Sequence, residues 1–347
     1  MDTKKIRNCL LGGAIGNALG APVETMSRES IRRKFGPDGL TDYAPAFGRL
    51  GAIASDTQMT LFVAESLIRA LVRYSHNGIV SVDCVTKFAF LRWLYTQEHQ
   101  GPPDNPSGWL ASVPGLYQRR EPSLSIIKAL KELHSHPKNN SKGCGAVARS
   151  APYGLYVIDA FGRAASGAMI THGHLTGQLS AGVLAALIKQ LLAGETLTDA
   201  ANIAIEELKR HIGHQETLSS LELALNLAKD GSLAQNKAVD RIGQGSMAHE
   251  VLAIAVYCSL VARNFCEGVL LAVNHDGNSA ATGAICGNIL GLVHGLENIP
   301  PNWLSSLELR DVISELAEDL ANSVDWNLGS YSTHSDDKWV SKKYPGD

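Results

Sequence analysis

Residues 247–263 read MAHEVLAIAVYCSLVAR. Drawn as a helix, this stretch carries apolar or small side chains on almost every side. A helix without a polar stripe has to be covered by other elements of the fold. The stretch therefore predicts a central, buried helix.

Helical spacing recurs along the chain. Residues 59–74, 179–192 and 312–324 each place apolar side chains three or four positions apart, which is the period of one helix face. Runs that alternate as a strand does are scarce. With 45% hydrophobic and 19% charged residues, the chain can build a sizeable core. We predict an all-α protein, a compact helical bundle.

No segment has the composition of an interdomain linker. We predict one domain over residues 1–326, followed by a polar C-terminal tail over 327–347 whose last residues are frayed. Residues 101–107 and 134–145 are rich in turn-forming residues and are predicted loops. Pro300 and Pro301 are predicted to close a helix.

Charge and cysteine usage exclude several classes of partner. The net charge is -3, which predicts no nucleic-acid partner and no polybasic membrane surface. From the sequence we expect no run to be long and apolar enough to span a bilayer. Free thiols in a reducing cytoplasm explain the scattered cysteines better than disulfides. The cysteines are Cys9, Cys84, Cys144, Cys258, Cys266 and Cys286.

The N-terminal residues mimic a secretory signal peptide. Basic residues precede an apolar run over 9–23, as in such peptides. The run also contains Asn17 and four glycines, and it reaches Pro22. We therefore expect a helix of small residues in the mature protein.

Two acidic segments lie beside apolar helices. Residues 16–24 read GNALGAPVE, and their glycines permit close approach of a backbone or ligand. Glu24 projects from the end of this run, although tight packing with a solvated Glu would give the same pattern. Residues 54–60 read ASDTQMT, and Ser55 or Asp56 suits the N-cap of the next helix.

Two further segments combine glycine with polar side chains. Residues 141–145 read SKGCG, and a small-residue loop that opens a helix can offer amides to a phosphate. A plain connecting loop would look similar, and Cys144 lacks an identifiable His or Asn partner as a nucleophile. Residues 275–283 read HDGNSAATG, and residues 171–174 read THGH. His172 and His174 could ligate a metal, but hydrogen-bonded loop histidines are more common.

In order, these segments resemble the motifs of the ADP-ribosylglycohydrolase family, which includes dinitrogenase reductase-activating glycohydrolases. The resemblance runs roughly from Ile6 to Leu320. Residues 16–24 resemble GDALGxPxE, 55–60 TDDTQMT, 141–152 SKGCGxxMRxAP, 171–180 THGHPTGxLSAG, 276–290 SGDSDSTGAITGNIL and 299–303 IPxxW.

The resemblance implies an orthogonal, all-α bundle with a cleft for ADP-ribose. It implies that active members hold two Mg²⁺ or Mn²⁺ ions with oxygen ligands and cleave the bond between the anomeric ribose carbon and a protein side chain. Glu24 and Asp56 match surviving acidic ligands and are the residual catalytic and metal-binding candidates. The ligand-binding candidates are Thr57, Gly143, Cys144, Gly145, His172, His174, Ser246, Asn278 and Ser279.

Departures from the family pattern concentrate on the metal ligands. The family's Thr-Asp-Asp is Ala54-Ser55-Asp56 here, and its Asp-Ser-Asp-Ser is Asn278-Ser279-Ala280-Ala281. Its GDALG aspartate is Asn17. Its Pro after the two histidines is Leu175, and its Trp after the Gly-x-Gly stretch is Ser246. Two carboxylates cannot balance a charge of about +4 from two divalent ions.

We therefore predict a catalytically impaired pseudo-hydrolase with no metal or a weakly bound Mg²⁺ or Mn²⁺. Its expected partner is ADP-ribose, an ADP-ribosylated protein or an ADP-ribosylating enzyme or toxin, in an immunity or regulatory role. The alternatives are an active metal-dependent hydrolase with a rearranged or single-metal site, and a structural relic without a ligand.

Overall fold

The computed structural model describes residues 1–132, 139–156, 159–329 and 336–346. In these ranges the regular backbone is helical, apart from isolated bridges between Ala46 and Arg49 and between Gly143 and Met247. The all-α prediction is confirmed. The helices are α1 (Thr3–Gly20), α2 (Arg28–Phe35), α3 (Ser55–Asn77), α4 (Val82–Glu98), α5 (Leu124–Glu132), α6 (Gly145–Ala148), α7 (Ala151–Tyr156), α8 (Ala160–Met169), α9 (Leu175–Ala193), α10 (Leu197–Leu208), α11 (Gln215–Asp230), α12 (Gln235–Ile242), α13 (Ala248–Val261), α14 (Phe265–Val273), α15 (Ser279–Val293), α16 (Pro301–Ser305), α17 (Arg310–Asn322) and α18 (Asp336–Lys343).

The predicted central helix is α13. Its residues from Val251 to Ser259 are all buried, so it has no solvent-facing stripe, as the sequence requires. The other predicted apolar faces form the buried sides of α3, α9 and α17. Part of the predicted loop over 134–145, residues 134–138, lies outside the described residues.

Glycines hold α1 and α15 in backbone contact, antiparallel to each other. A Cβ on Gly16 would lie 1.9 Å from the carbonyl oxygen of Gly283, and one on Gly12 would lie 2.4 Å from that of Gly287. A Cβ on Gly20 would lie 2.2 Å from the carbonyl oxygen of Ser279. Only glycine permits this approach, and it sets the end of α1 beside the start of α15.

The C-terminal segment corrects the prediction of a frayed end. Residues 336–343 form α18, and both Val340 and Tyr344 are fully buried. These two side chains stand four residues apart on one helix face, a short pattern within a polar tail. The Tyr344 hydroxyl donates to Asp319 of α17 at 2.5 Å.

Two further predictions were wrong. Pro300 and Pro301 open α16 as its N-cap and first residue, a position that suits proline because the first helical amide needs no helical acceptor. By length and composition, α9 could cross a membrane, although 72% of its apolar window is buried in the fold. Gly, Thr and Ser interrupt the apolar residues of α9, so the sequence did not indicate a long apolar run. The burial of α9 is typical of a core helix.

Candidate functional site

Glu24 and Asn278 meet where α1 ends and α15 begins. The Asn278 side chain donates its Nδ2 to Glu24 Oε1 at 2.8 Å and accepts from the Ala281 amide through Oδ1, also at 2.8 Å. The neighbouring Thr25, with a φ of 62°, donates its amide to the Gly277 carbonyl at 2.9 Å. Both polar atoms of the Asn278 side chain are therefore engaged by the protein.

Asn17 joins this corner to the start of α3. It is fully buried; its Oδ1 accepts from the Ala54 amide at 2.6 Å, and its Nδ2 donates to the Ala280 carbonyl at 3.2 Å. An amide supplies one acceptor and one donor, whereas an ionised carboxylate would leave the Ala280 carbonyl without this donor. Asparagine therefore fits the position structurally.

Asp56 lies in the first turn of α3 and faces the glycine loop. The predicted cap at Ser55 or Asp56 is wrong, because Ala54 occupies the N-cap without a capping side chain. Asn17 instead binds the Ala54 amide. Asp56 Oδ1 would lie 3.8 Å from a Cβ on Gly145. The same Cβ would lie 2.8 Å from Ile126 Cδ1, so glycine allows the loop backbone to pack this closely beside Asp56.

Both acidic side chains have raised pKa values, for which burial is the largest cause. Burial raises the pKa of Glu24 to about 8, with further increases from the charges of Asp56 and Glu121, against the hydrogen bond from Asn278. Burial raises the pKa of Asp56 to about 6, although the positive charge of Arg149 opposes the shift. Near neutral pH the pair therefore carries about one negative charge.

Arg149 is the buried cation of the site. Its guanidinium donates to Thr171 Oγ1 at 2.6 Å and to the Gly145 carbonyl at 3.2 Å, and it lies 4.5 Å from the centre of the Phe90 ring. Burial lowers its pKa to about 10, so it stays charged at neutral pH and partly offsets Asp56.

His172 is a buried, neutral imidazole behind the glycine loop. Burial and the charge of Arg149 lower its pKa to about 3. Its Nδ1 pairs with Thr171 Oγ1 at 2.8 Å, and its Nε2 would lie 3.5 Å from a Cβ on Gly143. The structure thus places His172 beside the loop over residues 143–145.

The remaining candidates have diverse surroundings. His174 Nδ1 accepts from the Thr176 amide at 3.1 Å and caps α9. Ser246 is exposed, and its amide donates to Glu250. Thr57 is buried beside a small void between α1, α3 and α15. Ser279 is buried, and its Oγ is without a hydrogen-bond partner among the described residues. Ligand binding by these four stays a prediction.

Cys144 is poorly suited to nucleophilic chemistry. Burial and the charges of Asp56 and Glu24 raise the pKa of its thiol well above the usual range. A thiol rather than a thiolate therefore lies next to the acidic pair, and only the thiolate is a strong nucleophile. As expected, the six cysteines are free thiols.

Comparison with known proteins identifies the family. Residues 2–328 match the sequence profile described as ADP-ribosylglycohydrolase. The chain belongs to the ADP-ribosylglycohydrolase family. The match covers α1, the acidic residues Glu24 and Asp56, and Arg149 with its hydrogen-bond partners.

The relatives of this family member include two named hydrolases and an uncharacterized protein. The ADP-ribosylarginine hydrolase Tri1 of Serratia proteamaculans is 23% identical over 320 residues, which cover 91% of this chain and 78% of that protein. The ADP-ribosyl-dinitrogen reductase glycohydrolase of Rhodospirillum rubrum is 25% identical over 312 residues, covering 86% of this chain and 89% of that protein. An uncharacterized protein of Archaeoglobus fulgidus is 28% identical over 326 residues, covering 91% and 96%.

A solved structure shares the ADP-ribosylglycohydrolase fold of this chain. The similar chain comes from an "ADP-ribosylglycohydrolase-related protein complex", with a TM-score of 0.64 and 24% identity over 92% of this chain and 98% of the other. At this identity the likeness shows the fold alone.

The residues at the ADP-ribosylglycohydrolase metal position do not fit a two-metal centre. In the described ranges, no three or more His, Cys, Asp or Glu side chains form a group that could hold a metal ion. Ala280 and Ala281 are fully buried and supply no side-chain oxygen. The outward-lying Asp276 accepts from the Arg28 amide at 2.5 Å, so it belongs to a different contact.

Two charged residues of the site were missed from the sequence. Arg149 stands alone as a basic residue within the small-residue run AVARSAP over 146–152, and that isolation was an available signal. Glu121 is exposed and adopts a φ of 50°. It comes from a loop, and nothing in its local sequence pairs it with Glu24.

Proposed function

We propose that this protein is a catalytically impaired member of its family that binds ADP-ribose, free or attached to a protein. The observation that carries the proposal is the engagement of Asn278. Its amide nitrogen, a hydrogen-bond donor, points at Glu24 where a cation would need an acceptor, and its oxygen caps α15. The nitrogen is not a metal ligand, and the oxygen, which already accepts from the Ala281 amide, brings no negative charge to a metal ion.

The surroundings of α15 support the same proposal. Positions 280 and 281 hold fully buried alanines, whose side chains supply no metal-ligand atom. Gly20 approaches the Ala280 amide so closely that a Cβ there would lie 2.5 Å from it. Backbone packing therefore fixes the start of α15 against the end of α1.

Binding of the sugar does not need the metal ions. A protonated Glu24 carboxyl both donates and accepts, as a ribose hydroxyl does. His172 is neutral, and the glycines at 143 and 145 bring the backbone of the loop close to His172 and Asp56. We propose that the loop over Gly143–Gly145 lies along the pyrophosphate and that the acidic pair faces the ribose.

The partner follows from the class of ligand. Relatives named as hydrolases of ADP-ribosylarginine suggest that the ligand reaches this chain on a protein. We propose an ADP-ribosylated protein as the partner. In an immunity role, the partner would instead be an ADP-ribosylating enzyme or toxin whose active site this protein covers. A cytoplasmic location fits the free thiols and is part of the proposal.

Calorimetry with ADP-ribose tests the binding step. The unmodified protein is titrated in EDTA and again in Mn²⁺, with Gly143→Trp as the site variant and Gly101→Trp as the control. A side chain at 143 would project towards His172, whereas a Cβ at 101 meets nothing within 4 Å. We expect metal-independent binding that Gly143→Trp abolishes and Gly101→Trp preserves. Lack of binding in both buffers would overturn the proposal in favour of a relic.

A second experiment tests catalysis. The protein is incubated with a mono-ADP-ribosylated arginine or serine substrate and Mg²⁺ or Mn²⁺, and release of ADP-ribose is followed. We expect release no faster than from an Asp56→Asn, Glu24→Gln double variant. Robust release that EDTA stops would show a working metal centre and overturn the claim of impairment.

One observation favours the alternative of a single-metal hydrolase. The raised pKa of Glu24 reflects burial and, in addition, repulsion by the charges of Asp56 and Glu121, and a cation between Glu24 and Asp56 would relieve this repulsion. The EDTA arm of both experiments separates this alternative from metal-free binding.

A further inference from the structure

Two helices beside the acidic corner carry an excess of basic side chains. Residues 28–41, which include α2, and residues 235–242, which form α12, hold six basic and three acidic side chains, although the whole chain has a net charge of -3. We call the surface of these two segments the α2–α12 face. Its basic residues are Arg28, Arg32, Arg33, Lys34, Lys237 and Arg241.

The two helices lie side by side. The Arg28 guanidinium of α2 donates to Asp240 Oδ1 of α12 at 2.5 Å. One helical turn later, Arg32 lines a cleft of about 210 Å³ together with Asn236 of α12. The two helices therefore form one surface, and their charges act on a partner together.

Three cations of the α2–α12 face are available to a partner. Arg32, Lys34 and Arg241 are exposed. Within the described ranges none of the three forms an ion pair or a side-chain hydrogen bond with a carboxylate. Lys34 Nζ lies 4.9 Å from the centre of the neighbouring Phe35 ring. Asp38 is the carboxylate that lines the cleft, so the excess of positive charge remains.

The other acidic side chains of the face are already engaged. Glu29 pairs with Arg33 at 2.8 Å. Asp240 pairs with Arg28 at 2.5 Å and lies 3.7 Å from Lys237. These carboxylates therefore do not offset the three cations that are without an ion pair.

The segment before α15 supports both this face and the acidic corner. Arg28 donates its side chain to the Asn274 carbonyl at 3.0 Å and its amide to Asp276 at 2.5 Å. Two residues later, Asn278 donates to Glu24. Glu24 precedes Arg28 by four residues, which span at most about 14 Å. The face therefore begins beside the proposed ADP-ribose site.

We propose that the α2–α12 face docks an acidic segment of the ADP-ribosylated protein, next to its modified side chain; this inference rests on the proposed function. Carboxylates of the partner pair with Arg32, Lys34 and Arg241. One of them enters the cleft, where Asn236 and Thr41 add polar groups. Complementary charges orient a partner and speed its encounter, and the net negative charge of the chain disfavours docking of the same segment elsewhere.

Two ADP-ribosylated peptides test this docking. Each carries ADP-ribose on one arginine, flanked on each side by four glutamates in one peptide and by four glutamines in the other. Both are titrated by calorimetry in EDTA. At about 50 mM NaCl we expect the glutamate peptide to bind about fivefold more tightly, because several weak exposed pairs act together. At about 500 mM NaCl most of this advantage should disappear, since salt screens exposed charges. Equal affinity at the lower salt concentration would overturn the proposal.

Charge-reversal variants locate the docking. Arg32→Glu should remove most of the advantage of the glutamate peptide. Lys229→Glu makes the same change in net charge at an exposed position of α11 and should preserve the advantage. Thermal unfolding midpoints are measured first, and Lys34→Glu takes the place of Arg32→Glu if that variant does not fold. An equal loss in Lys229→Glu protein would show that the attraction is not local and would overturn the docking face.

A third peptide separates this inference from the proposed function. It holds the same glutamates around an unmodified arginine, carries a fluorescent label, and is followed by anisotropy at about 50 mM NaCl. We expect weak binding that Arg32→Glu lowers several-fold. If free ADP-ribose does not bind but this peptide behaves so, the proposed function fails and the acidic docking stands. If ADP-ribose binds and Arg32→Glu has no effect on this peptide, the docking face fails alone. Octathymidylate that binds as tightly as the peptide would indicate a nucleic-acid surface and also overturn the proposal.

Discussion

Asn278 links the end of α1 to the start of α15 by donating to Glu24 across 2.8 Å while its own oxygen caps α15. An aspartate could make the second contact but not the first, because an ionised carboxylate has no donor. The corner is thus built around an amide, whose hydrogen bond to Glu24 an ionised aspartate could not donate.

Asn278→Asp alone should destabilise the protein at pH 8. Aspartate caps a helix as well as asparagine does, so the loss isolates the contact with Glu24, where two carboxyls would face each other. We expect the free energy of unfolding to fall by about 1–3 kcal/mol at pH 8 and by much less at pH 5, where a shared proton is available. Urea unfolding at both pH values measures the difference; equal stability of variant and parent at pH 8 would contradict it.

The concerted reversion should restore metal binding where single reversions do not. The set is Ala54→Thr, Ser55→Asp, Asn278→Asp, Ala280→Asp and Ala281→Ser. An ion needs several ligands at once, and residues that act as a unit are not additive. We expect Mn²⁺ to raise the unfolding temperature of the five-fold variant, by mass action on the folded state, but not that of Ala280→Asp alone. If Mn²⁺ raised the unfolding temperature of Ala280→Asp as much as that of the five-fold variant, the five residues would not act as a unit.

Stability should fall as the pH rises from 6.5 to 8, because of Glu24. Its pKa is raised from an ordinary 4.5 to about 8, so the folded state holds a proton that the unfolded state releases, and this stability is lost as the pH rises through 8. His172, whose pKa is lowered from 6.5 to about 3, has the opposite effect, but only below about pH 6.5.

Glu24→Gln should therefore flatten the curve in that window. A full proton corresponds to a slope of about 1.4 kcal/mol per pH unit, and we expect the variant to lose most of whatever slope the parent shows. The control is Glu29→Gln on the exposed face of α2, where Glu29 pairs with Arg33. A parent curve that is flat or rising between pH 6.5 and 8 would refute the buried, protonated state of Glu24.

Gly16→Ala should separate α1 from α15. The added Cβ would lie 1.9 Å from the Gly283 carbonyl oxygen, and overpacking of this kind costs about 1–3 kcal/mol or more. The control is Gly101→Ala, whose Cβ meets nothing within 4 Å. Chemical unfolding measures both, and ADP-ribose binding reports the corner itself. A stable Gly16→Ala variant with intact binding would show that the helix spacing is not critical.

The fold was largely predictable because helix faces repeat along the sequence, as in α3 and α9. The resemblance to the family implied that Glu24, Asp56 and Asn278 lie at one cleft. The contacts that individual side chains make were not predictable. The cap at Ser55 was mistaken because Asn17, remote in sequence, binds the Ala54 amide. Arg149 lies in the motif over 141–152 but was not named as a candidate, because a single arginine in a small-residue run does not by itself show which groups it binds. The helix α18 was not predicted, because two buried side chains, Val340 and Tyr344, are a weak pattern within polar residues.

The glycine contact between α1 and α15 also bears on how the chain is made. The partner surface of Gly12 and Gly16 is contributed by residues near Gly283 and Gly287, which leave the ribosome long after α1 does. At synthesis rates of about 5–20 residues per second, α1 waits for roughly 15–50 s with its glycine face uncovered. Such distant pairings also slow folding, because the loop must close before the contact stabilises it. The glycine face of α1 is thus exposed to proteases and chaperones until α15 emerges, and the corner that Glu24 and Asn278 form is completed only then.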